Sequence, residues 1–379
     1  MTEQLPRYPF GWPSATEQPR EFADLHDSPV VPVTLPSGDT ALLITRYDDI
    51  RGVLTDPRVS KNRNRPGVAR MTDKKVKAFQ SQVSMDPPEH TRMRRLISQA
   101  FTPSRVEKLR PRIQDIATEL TEQIASGPQP ADLAEALAFP LSIRVICEML
   151  GVPARDRARF TGGGPPPWDY MRELIARKRE DPADDLISAL IQVHDEDDGE
   201  LSAEELLWWS TVLLLAGYET TANQICSAVV LLLTHPEQLA ALRADYGQMP
   251  QAVEELLRYQ VVGTSLSMLR YVTADITVAG TDIPAGSSVI TSLESANFDP
   301  RAFSCPARLD ISRAGQPQLT FSVGRHFCVG AALARAELQV TLETLLRRFP
   351  DLRLAVPASD LRRHDDAFTQ GFAAVPVCW

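Results

Sequence analysis

Apolar residues repeat every three or four positions through the middle of the chain, the spacing of one face of an α-helix. One helix is predicted over residues 103–125, with apolar positions at Val106, Leu109, Ile113, Ile116 and Leu120. A shorter helix is predicted over residues 140–150, and the Gly-Val-Pro sequence at 151–153 is an ordinary helix stop.

A third, much longer helix is predicted to begin after Ser202, with Glu205 completing a capping box, and to end near Thr234. It would have roughly thirty residues and span about 45 Å at 1.5 Å per residue. Its apolar residues lie on all faces (WWSTVLLLAGY, AVVLLL), which predicts a buried helix rather than a surface one. The apolar run is interrupted by polar residues, which argues against a membrane span: Glu219, Thr220, Thr221, Asn223 and Gln224.

Strand-like patterns are few and short. They fall at residues 33–45, 275–278, 288–291, 352–356 and 373–377. The IPAG sequence at 283–286 is interpreted as a hairpin turn. The predicted fold is therefore mainly α, with small peripheral sheets.

Composition and charge limit the classes of partner. The chain has 379 residues, 43% of them hydrophobic, so it can bury a large core. A net charge of −9 disfavours nucleic acid or an anionic membrane as a partner. The N-terminal residues are polar and proline-rich, so we expect neither a signal peptide nor a membrane anchor there. We expect a cytoplasmic monomer.

One loop carries the strongest chemical signal, FSVGRHFCVGAALARAEL at 321–338. Apart from His326, no further Cys or His lies near Cys328 to complete a zinc site, and five scattered cysteines do not indicate a disulfide framework. A lone thiolate can serve as the axial ligand of haem iron. Flanking glycines let backbone approach a flat macrocycle, and a helix N-terminus stabilises a thiolate. The alternative is a buried structural cysteine.

The wider string resembles the haem-binding loop of the cytochrome P450 family, F-x-x-G-x-H-x-C-x-G-x-x-L-A-R. The resemblance implies haem b (iron protoporphyrin IX) with Cys328 as the proximal iron ligand. It also implies that His326 contacts a haem propionate. The other loop positions implied to contact the cofactor are Phe321, Gly324 and Gly330.

Residues 216–221, AGYETT, lie in the long helix and resemble the family's oxygen-binding motif A-G-x-[DE]-T-[ST]. Ala216 and Gly217 are then expected beside the cofactor, with Gly217 leaving space for a small ligand. Glu219 and Thr220 would be the acid–alcohol pair, in which the hydroxyl bonds dioxygen and the carboxylate relays protons. The alternative is a polar notch that kinks a buried helix.

A third motif is EELLR at 254–258, in which Glu255 and Arg258 share one helical face. Alone, this is a commonplace surface ion pair. In the P450 family the pair is buried and fixed by an arginine from a P-x-R-[FL]-D segment. The CPARLD sequence implies that Arg308 has this structural role.

Haem propionates need cationic partners. The DPPEHTRMRR segment resembles the family's C-helix motif and implicates His90 and Arg94, four positions apart. Arg270 matches another propionate-binding position. The resemblance extends over nearly the whole chain, is of the soluble bacterial type, and implies a single P450 domain over residues 1–379.

The TGGGPPPWDY sequence at 161–170 departs from the family, because an F helix and the first half of a G helix are expected there. Glycine and proline disfavour helix, so we predict a truncated F/G roof and a helix that resumes near Trp168. Three explanations remain open: a natural deletion, an engineered deletion with a designed linker, or residues missing from the sequence as written. A natural open roof would suit a bulky peptide or a carrier-tethered substrate.

Substrate contacts are implied by resemblance only, and ordinary core packing is the alternative for each. They are Leu213, Tyr218, Val262, Leu266 and Phe368.

The resemblance implies a haem-thiolate monooxygenase of secondary metabolism that oxidises an apolar or aromatic substrate. No flavin, nicotinamide or iron–sulfur motif is found, so a ferredoxin and its reductase are expected to supply electrons. Arg92, Arg95 and Arg335 could form a basic docking patch. The alternatives are oxidative coupling, peroxide-driven chemistry, or a carrier-protein docking module without turnover.

Overall fold

A computed structural model describes residues 5–14, 16–71, 84–160, 167–196, 201–262, 268–364 and 370–379. The chain divides into two compact units. The first unit comprises Met1–Asp86, Thr234–Cys328 and Ala358–Gln370, and the second comprises Pro87–Leu233, Val329–Pro357 and Gly371–Trp379. The single-domain organisation stays a prediction.

Helices dominate the described residues, as the apolar periodicity predicts. The α-helices are α1 (Glu21–Leu25), α2 (Tyr47–Thr55), α3 (Glu89–Ser98), α4 (Pro103–Ala125), α5 (Phe139–Leu150), α6 (Trp168–Glu180), α7 (Leu186–Glu196), α8 (Ala203–Thr234), α9 (Pro236–Ala244), α10 (Met249–Tyr259), α11 (Leu293–Asn297) and α12 (Ala331–Arg348). The strands are β1 (Val30–Thr34), β2 (Thr40–Ile44), β3 (Val59–Ser60), β4 (Ala131–Asp132), β5 (Leu269–Val272), β6 (Ile276–Val278), β7 (Thr281–Ile283), β8 (Ser288–Thr291), β9 (Arg353–Leu354) and β10 (Pro376–Cys378).

The first unit is built on a five-stranded sheet with the order β1-β2-β8-β5-β3. Strands β2 and β8 are parallel, and the other neighbouring strands are antiparallel. Leu43 and Ile44 of β2 and Val289 and Ile290 of β8 are fully buried in one apolar cluster. Helix α2 packs on α11, and the N–H of Tyr47 donates to the carboxylate of Asp299 at 2.9 Å. The sheet and the helices packed on it therefore hold the ends of the loops that connect them.

The hairpin turn lies a few residues before the predicted position. Strands β6 and β7 form the hairpin, and Ala279 and Gly280 make its turn with φ of 49° and 80°. Two successive positive φ angles are what a two-residue hairpin turn requires. The IPAG sequence also turns, with Ser287 N–H donating to Pro284 O at 3.2 Å, but it leads from β7 into β8 of the larger sheet. The hairpin assignment of IPAG is therefore wrong.

The second unit is helical, with one small sheet of order β4-β10-β9. Helix α12 packs along α4, and Arg348 donates to Glu122 at 2.7 Å between them. Helix α8 matches its predicted bounds, and every residue of it from 221 to 232 is buried. The capping box is confirmed, because Ser202 N–H donates to Glu205 at 2.9 Å and Glu205 N–H to Ser202 Oγ at 3.2 Å.

Two further helix boundaries follow the sequence. Gly151 has a φ of 73°, and its left-handed conformation ends α5 as predicted. Helix α6 begins at Trp168, also as predicted. The rings of Phe160 and Tyr170 lie 5.0 Å apart, so the two elements that flank residues 161–166 contact each other. Residues 161–166 themselves, which hold most of the GGGPPP sequence, lie outside the described residues.

A buried ion cluster on α10 stabilises the first unit. Arg258 donates to Glu255 at 2.7 and 2.9 Å, and both side chains are 1% exposed. The third member is Arg313, which donates to Glu255 at 3.0 and 3.1 Å. Removing one partner from such a pair typically costs about 3–5 kcal/mol because a buried charge is left uncompensated.

Arg308 does not have the structural role predicted for it. Its side chain is 71% exposed and pairs with Asp310 at 2.8 Å. Only its backbone carbonyl reaches the cluster, where it accepts from Arg313 at 2.9 Å. The loop turns between the two arginines, so the second one, not the first, points its guanidinium at Glu255.

All five cysteines lie in the described residues, and none of them forms a disulfide. Within the same residues, no single helix is long and apolar enough to cross a membrane; only α8 and α9 taken together meet that test, by length and composition.

Candidate active site

The Cys328 loop is an ordered turn of the first unit. Residues Gly324–His326 form one short 3₁₀ turn, and the N–H of Cys328 donates to Phe321 O at 2.9 Å. The rings of Phe321 and Phe327 pack edge to face, 6.5 Å apart. Cys328 is exposed, whereas His326 is half-buried. The loop therefore presents one thiol at its surface on a fixed backbone.

Gly324 lets this loop approach α2 closely. Its φ is 73°, and a Cβ atom there would lie 2.9 Å from the backbone oxygen of Leu54. Backbone cannot move aside as a flexible side chain can, and left-handed φ is costly for other residues. Arg325 adds a hydrogen bond to Asp56 O at 3.4 Å. Helix α2 thus sets the position of the thiol loop.

Gly324→Ala is expected to lower the free energy of unfolding by about 2–5 kcal/mol, since left-handed strain and a steric clash add together. Gly280→Ala is the matched control: Gly280 has a φ of 80° but nothing within 4 Å of its Cβ position. Gly280→Ala should lower the free energy of unfolding only by the backbone strain, about 1–2 kcal/mol. Urea unfolding monitored by circular dichroism measures both, and equal costs would contradict the close approach to Leu54.

Arg270 of β5 lies in a cationic region of the first unit. The side chain is 6% exposed, and one of its N–H groups donates to Leu269 O at 2.9 Å. The pKa of Arg270 is lowered to about 9, mainly by burial; the charge of Arg63 also lowers it, and Asp86 raises it. Burial likewise lowers the pKa of Arg63 to about 10. Two desolvated guanidinium groups in one region favour the binding of an anion.

In the second unit, His90 and Arg94 lie one turn apart on α3 and are both half-buried. Met93, Leu96 and Ile97 form the buried face of the same helix. The predicted docking arginines also lie in this unit. Arg92 forms a salt bridge with Glu205, which neutralises much of its charge. Arg95 is exposed.

The acid–alcohol pair lies on α8 of the second unit. Thr220 Oγ1 donates to Ala216 O at 2.9 Å, and Thr221 Oγ1 donates to Gly217 O at 3.2 Å. Glu219 and Thr220 are half-buried and Ala216 is exposed, in contrast to the fully buried turns that follow. Because Thr220 gives its proton to a carbonyl, its oxygen presents lone pairs that can accept a hydrogen bond.

Gly217 lies where α8 packs against α5. A Cβ atom at this position would lie 2.7 Å from Cγ1 and Cδ1 of Ile146 on α5. Ile146 is 1% exposed and cannot easily yield. The absent side chain therefore allows α5 and α8 to pack, and the space expected here for a small ligand stays a prediction.

Comparisons with known proteins decide the family. A family model described as "Cytochrome P450" matches residues 168–353. Nocardicin C N-oxygenase of Nocardia uniformis subsp. tsuyamanensis is 40% identical, with 98% of each chain covered. Mycinamicin IV hydroxylase/epoxidase of Micromonospora griseorubida is 41% identical, with 100% of each chain covered.

The chain belongs to the cytochrome P450 family.

Solved P450 structures show the same fold. A mutant of the mixed-function P450 MycG in complex with mycinamicin V is 41% identical and superimposes with a TM-score of 0.90, covering 99% of this chain and all of the other. The predicted fold class is thus confirmed. This P450 is a monooxygenase of secondary metabolism that uses haem b.

The residues of this P450 suit a haem. Cys328 offers one exposed thiol, the donor that a porphyrin-bound iron needs from the protein. The Nε of Arg63 is enclosed and has no hydrogen-bond partner among the described residues. It lies in the same cationic region as Arg270, and haem carries carboxylates that such groups bind.

The residues implied in substrate binding fall into two groups. Leu213, Tyr218 and Val262 are described: Leu213 and Val262 are buried, and the half-buried ring of Tyr218 lies 6.4 Å from that of Phe139. Leu266 and Phe368 lie outside the described residues. A contact between substrate and any of the five stays a prediction.

Three polar residues of the described structure are not marked by the family motifs. Asn223 of α8 is 2% exposed, its Oδ1 has no hydrogen-bond partner among the described residues, and Gly371 packs against its amide. Arg63 and Arg313 belong to no family motif considered above. A buried polar residue within a long apolar run, as at Asn223, is the one signal that could have marked any of them.

Proposed function

We propose that this P450 oxidises a bulky small molecule in a tailoring step, with the thiolate of Cys328 as the iron ligand. The observation that supports this most is the exposed thiol on a loop fixed by Gly324 and by the Phe321 carbonyl. Near-complete alignment with an N-oxygenase and a hydroxylase/epoxidase supports the reaction class. Their substrates, nocardicin C and mycinamicin IV by name, define the first compounds to test.

Haem, when bound, supplies the iron at which dioxygen is reduced and one oxygen atom is transferred. The protein must then deliver protons and hold their donor. Thr220 Oγ1 donates to Ala216 O, so its lone pairs can hold a proton donor beside the reacting oxygen. Glu219, half-buried on the same turn, is the proposed source of protons from solvent. His90, Arg94, Arg270 and His326 are the proposed partners of the haem carboxylates.

The short connection between Phe160 and α6 supports a bulky substrate. The rings of Phe160 and Tyr170 are in contact, and only residues 161–166 connect the described elements on either side, where the family resemblance predicts further helix. A roof truncated in this way would remove the barrier that excludes a large or tethered molecule. Electrons are proposed to come from a ferredoxin and its reductase, with exposed Arg95 as one contact. Cytoplasmic location and a monomeric state stay predictions.

Spectral titration tests the substrate proposal. Mycinamicin IV, nocardicin C and a carrier-bound acyl chain are added separately to the ferric protein, with a small monocyclic compound as control. We expect a saturable difference spectrum with one bulky class at micromolar concentration, since a bound substrate would exclude solvent from the haem site. A response confined to the small control compound would contradict the bulky-substrate proposal but leave the monooxygenase assignment intact.

A further inference from the structure

Two arginines of the first unit lie in one region although no assigned function requires both. Arg270 is buried on β5, and Arg63 follows β3, the strand that pairs with β5. Val59 pairs with Val272 and Ser60 with Tyr271, so the chain leaves the sheet edge beside Arg270. The two groups are near enough for the charge of Arg63 to lower the pKa of Arg270.

The loop that carries Arg63 is anchored on both sides. The N–H of Ala69 donates to Ser288 Oγ on β8 at 2.9 Å. At the other end, Ser60 Oγ and the N–H of Lys61 donate to Asp86, the latter at 3.1 Å. Because the loop is anchored in this way, the guanidinium of Arg63 is held in one position.

Asp86 is the nearby acid, but its oxygens already have other partners. They accept from Ser60, from the Lys61 N–H and from Arg65, which pairs with Asp86 at 3.5 Å. The Nε of Arg63 is enclosed without a hydrogen-bond partner among the described residues. An enclosed donor on a cation is costly unless an acceptor reaches it, and an anion is the best acceptor.

We propose that Arg63 is a second guanidinium of the first unit that binds a haem carboxylate, next to Arg270. This inference rests on the proposed function, in which Arg270 faces a propionate. Haem has two carboxylates on one edge, which suits two neighbouring guanidinium groups on a rigid sheet edge. Arg63 is then a cofactor-binding residue that the family motifs do not mark.

The test compares haem with its dimethyl ester, in which both carboxylates are neutral. Apoprotein is reconstituted with each, and the rate of porphyrin loss to excess apomyoglobin is measured. Arg63→Met is the test variant, and Arg65→Met is the matched control because Arg65 lies two residues away in the same loop but is exposed and paired with Asp86. Arg63→Lys keeps the charge and serves as the rescue variant.

Arg63→Met is expected to lose haem about 10- to 100-fold faster than wild type, the effect of one charged hydrogen bond. Its loss of the dimethyl ester should match that of wild type, and Arg65→Met should match wild type with both porphyrins. Arg63→Lys should recover much of the slow haem loss. The rates of loss of haem and of its dimethyl ester are compared within each protein. A general loss of stability would accelerate both and would leave their ratio unchanged.

Wild-type haem loss from Arg63→Met would overturn the proposal, and so would equal acceleration with haem and ester. Failure of the proposed function is seen separately: wild-type protein would then lack the thiolate-type carbon monoxide spectrum, whatever Arg63 does.

Discussion

Replacing Cys328 by alanine is expected to abolish the thiolate-type carbon monoxide spectrum of the reduced protein. Sulfur donation to iron produces that spectrum and assists cleavage of the O–O bond. Turnover should fall to background.

Cys305→Ala is the matched control. Cys305 is also exposed and also lies in a loop of the first unit, but it is remote in sequence from the glycine-bounded loop. It should keep the wild-type spectrum and turnover. A normal spectrum in the Cys328 variant, or its loss in the Cys305 variant, would show that the ligand has been misassigned.

Thr220→Ala is expected to uncouple electron consumption from product formation. Without the hydroxyl, no group on that turn holds a proton donor in place, and reduced oxygen is released as peroxide. General acid catalysis contributes about 10²–10⁴-fold, so product formation should fall by about 100-fold or more while cofactor oxidation continues. Product and peroxide are measured against reductant consumed.

The adjacent residue supplies the control for this experiment. Thr221 makes the same type of bond, to Gly217 O at 3.2 Å, but it is buried at 6% exposure. Thr221→Ala should therefore stay coupled. Unchanged coupling in Thr220→Ala would argue against proton delivery through its hydroxyl and favour the peroxide-driven alternative.

Local patterns predicted most of the fold. Helix α8, its capping box and the end of α5 at Gly151 depend on interactions within a few residues, so the sequence contains the information. The turn assignment failed because IPAG and Ala279-Gly280 are both reasonable turns. Which of them closes a hairpin depends on strand pairing at long range: β7 pairs with β6 whereas β8 pairs with β2 and β5.

Fewer features of the site could be predicted from the sequence, because they also depend on contacts between residues that are far apart in the chain. Arg308 and Arg313 are five positions apart in one loop, and only the path of its backbone decides that Arg313 reaches Glu255. Arg63 lies far from Arg270 in sequence, and the β3–β5 pairing brings their charges together. The motif marks Gly217, but its close contact with Ile146 on α5 depends on helix packing that the motif does not contain.

X-ray absorption at the iron edge of the purified ferric protein tests the central claim most directly. If Cys328 binds the iron, the spectrum should require one sulfur scatterer in addition to the porphyrin nitrogens, and that scatterer should disappear in Cys328→Ala. A first shell of nitrogen and oxygen alone in the wild-type protein would contradict the account.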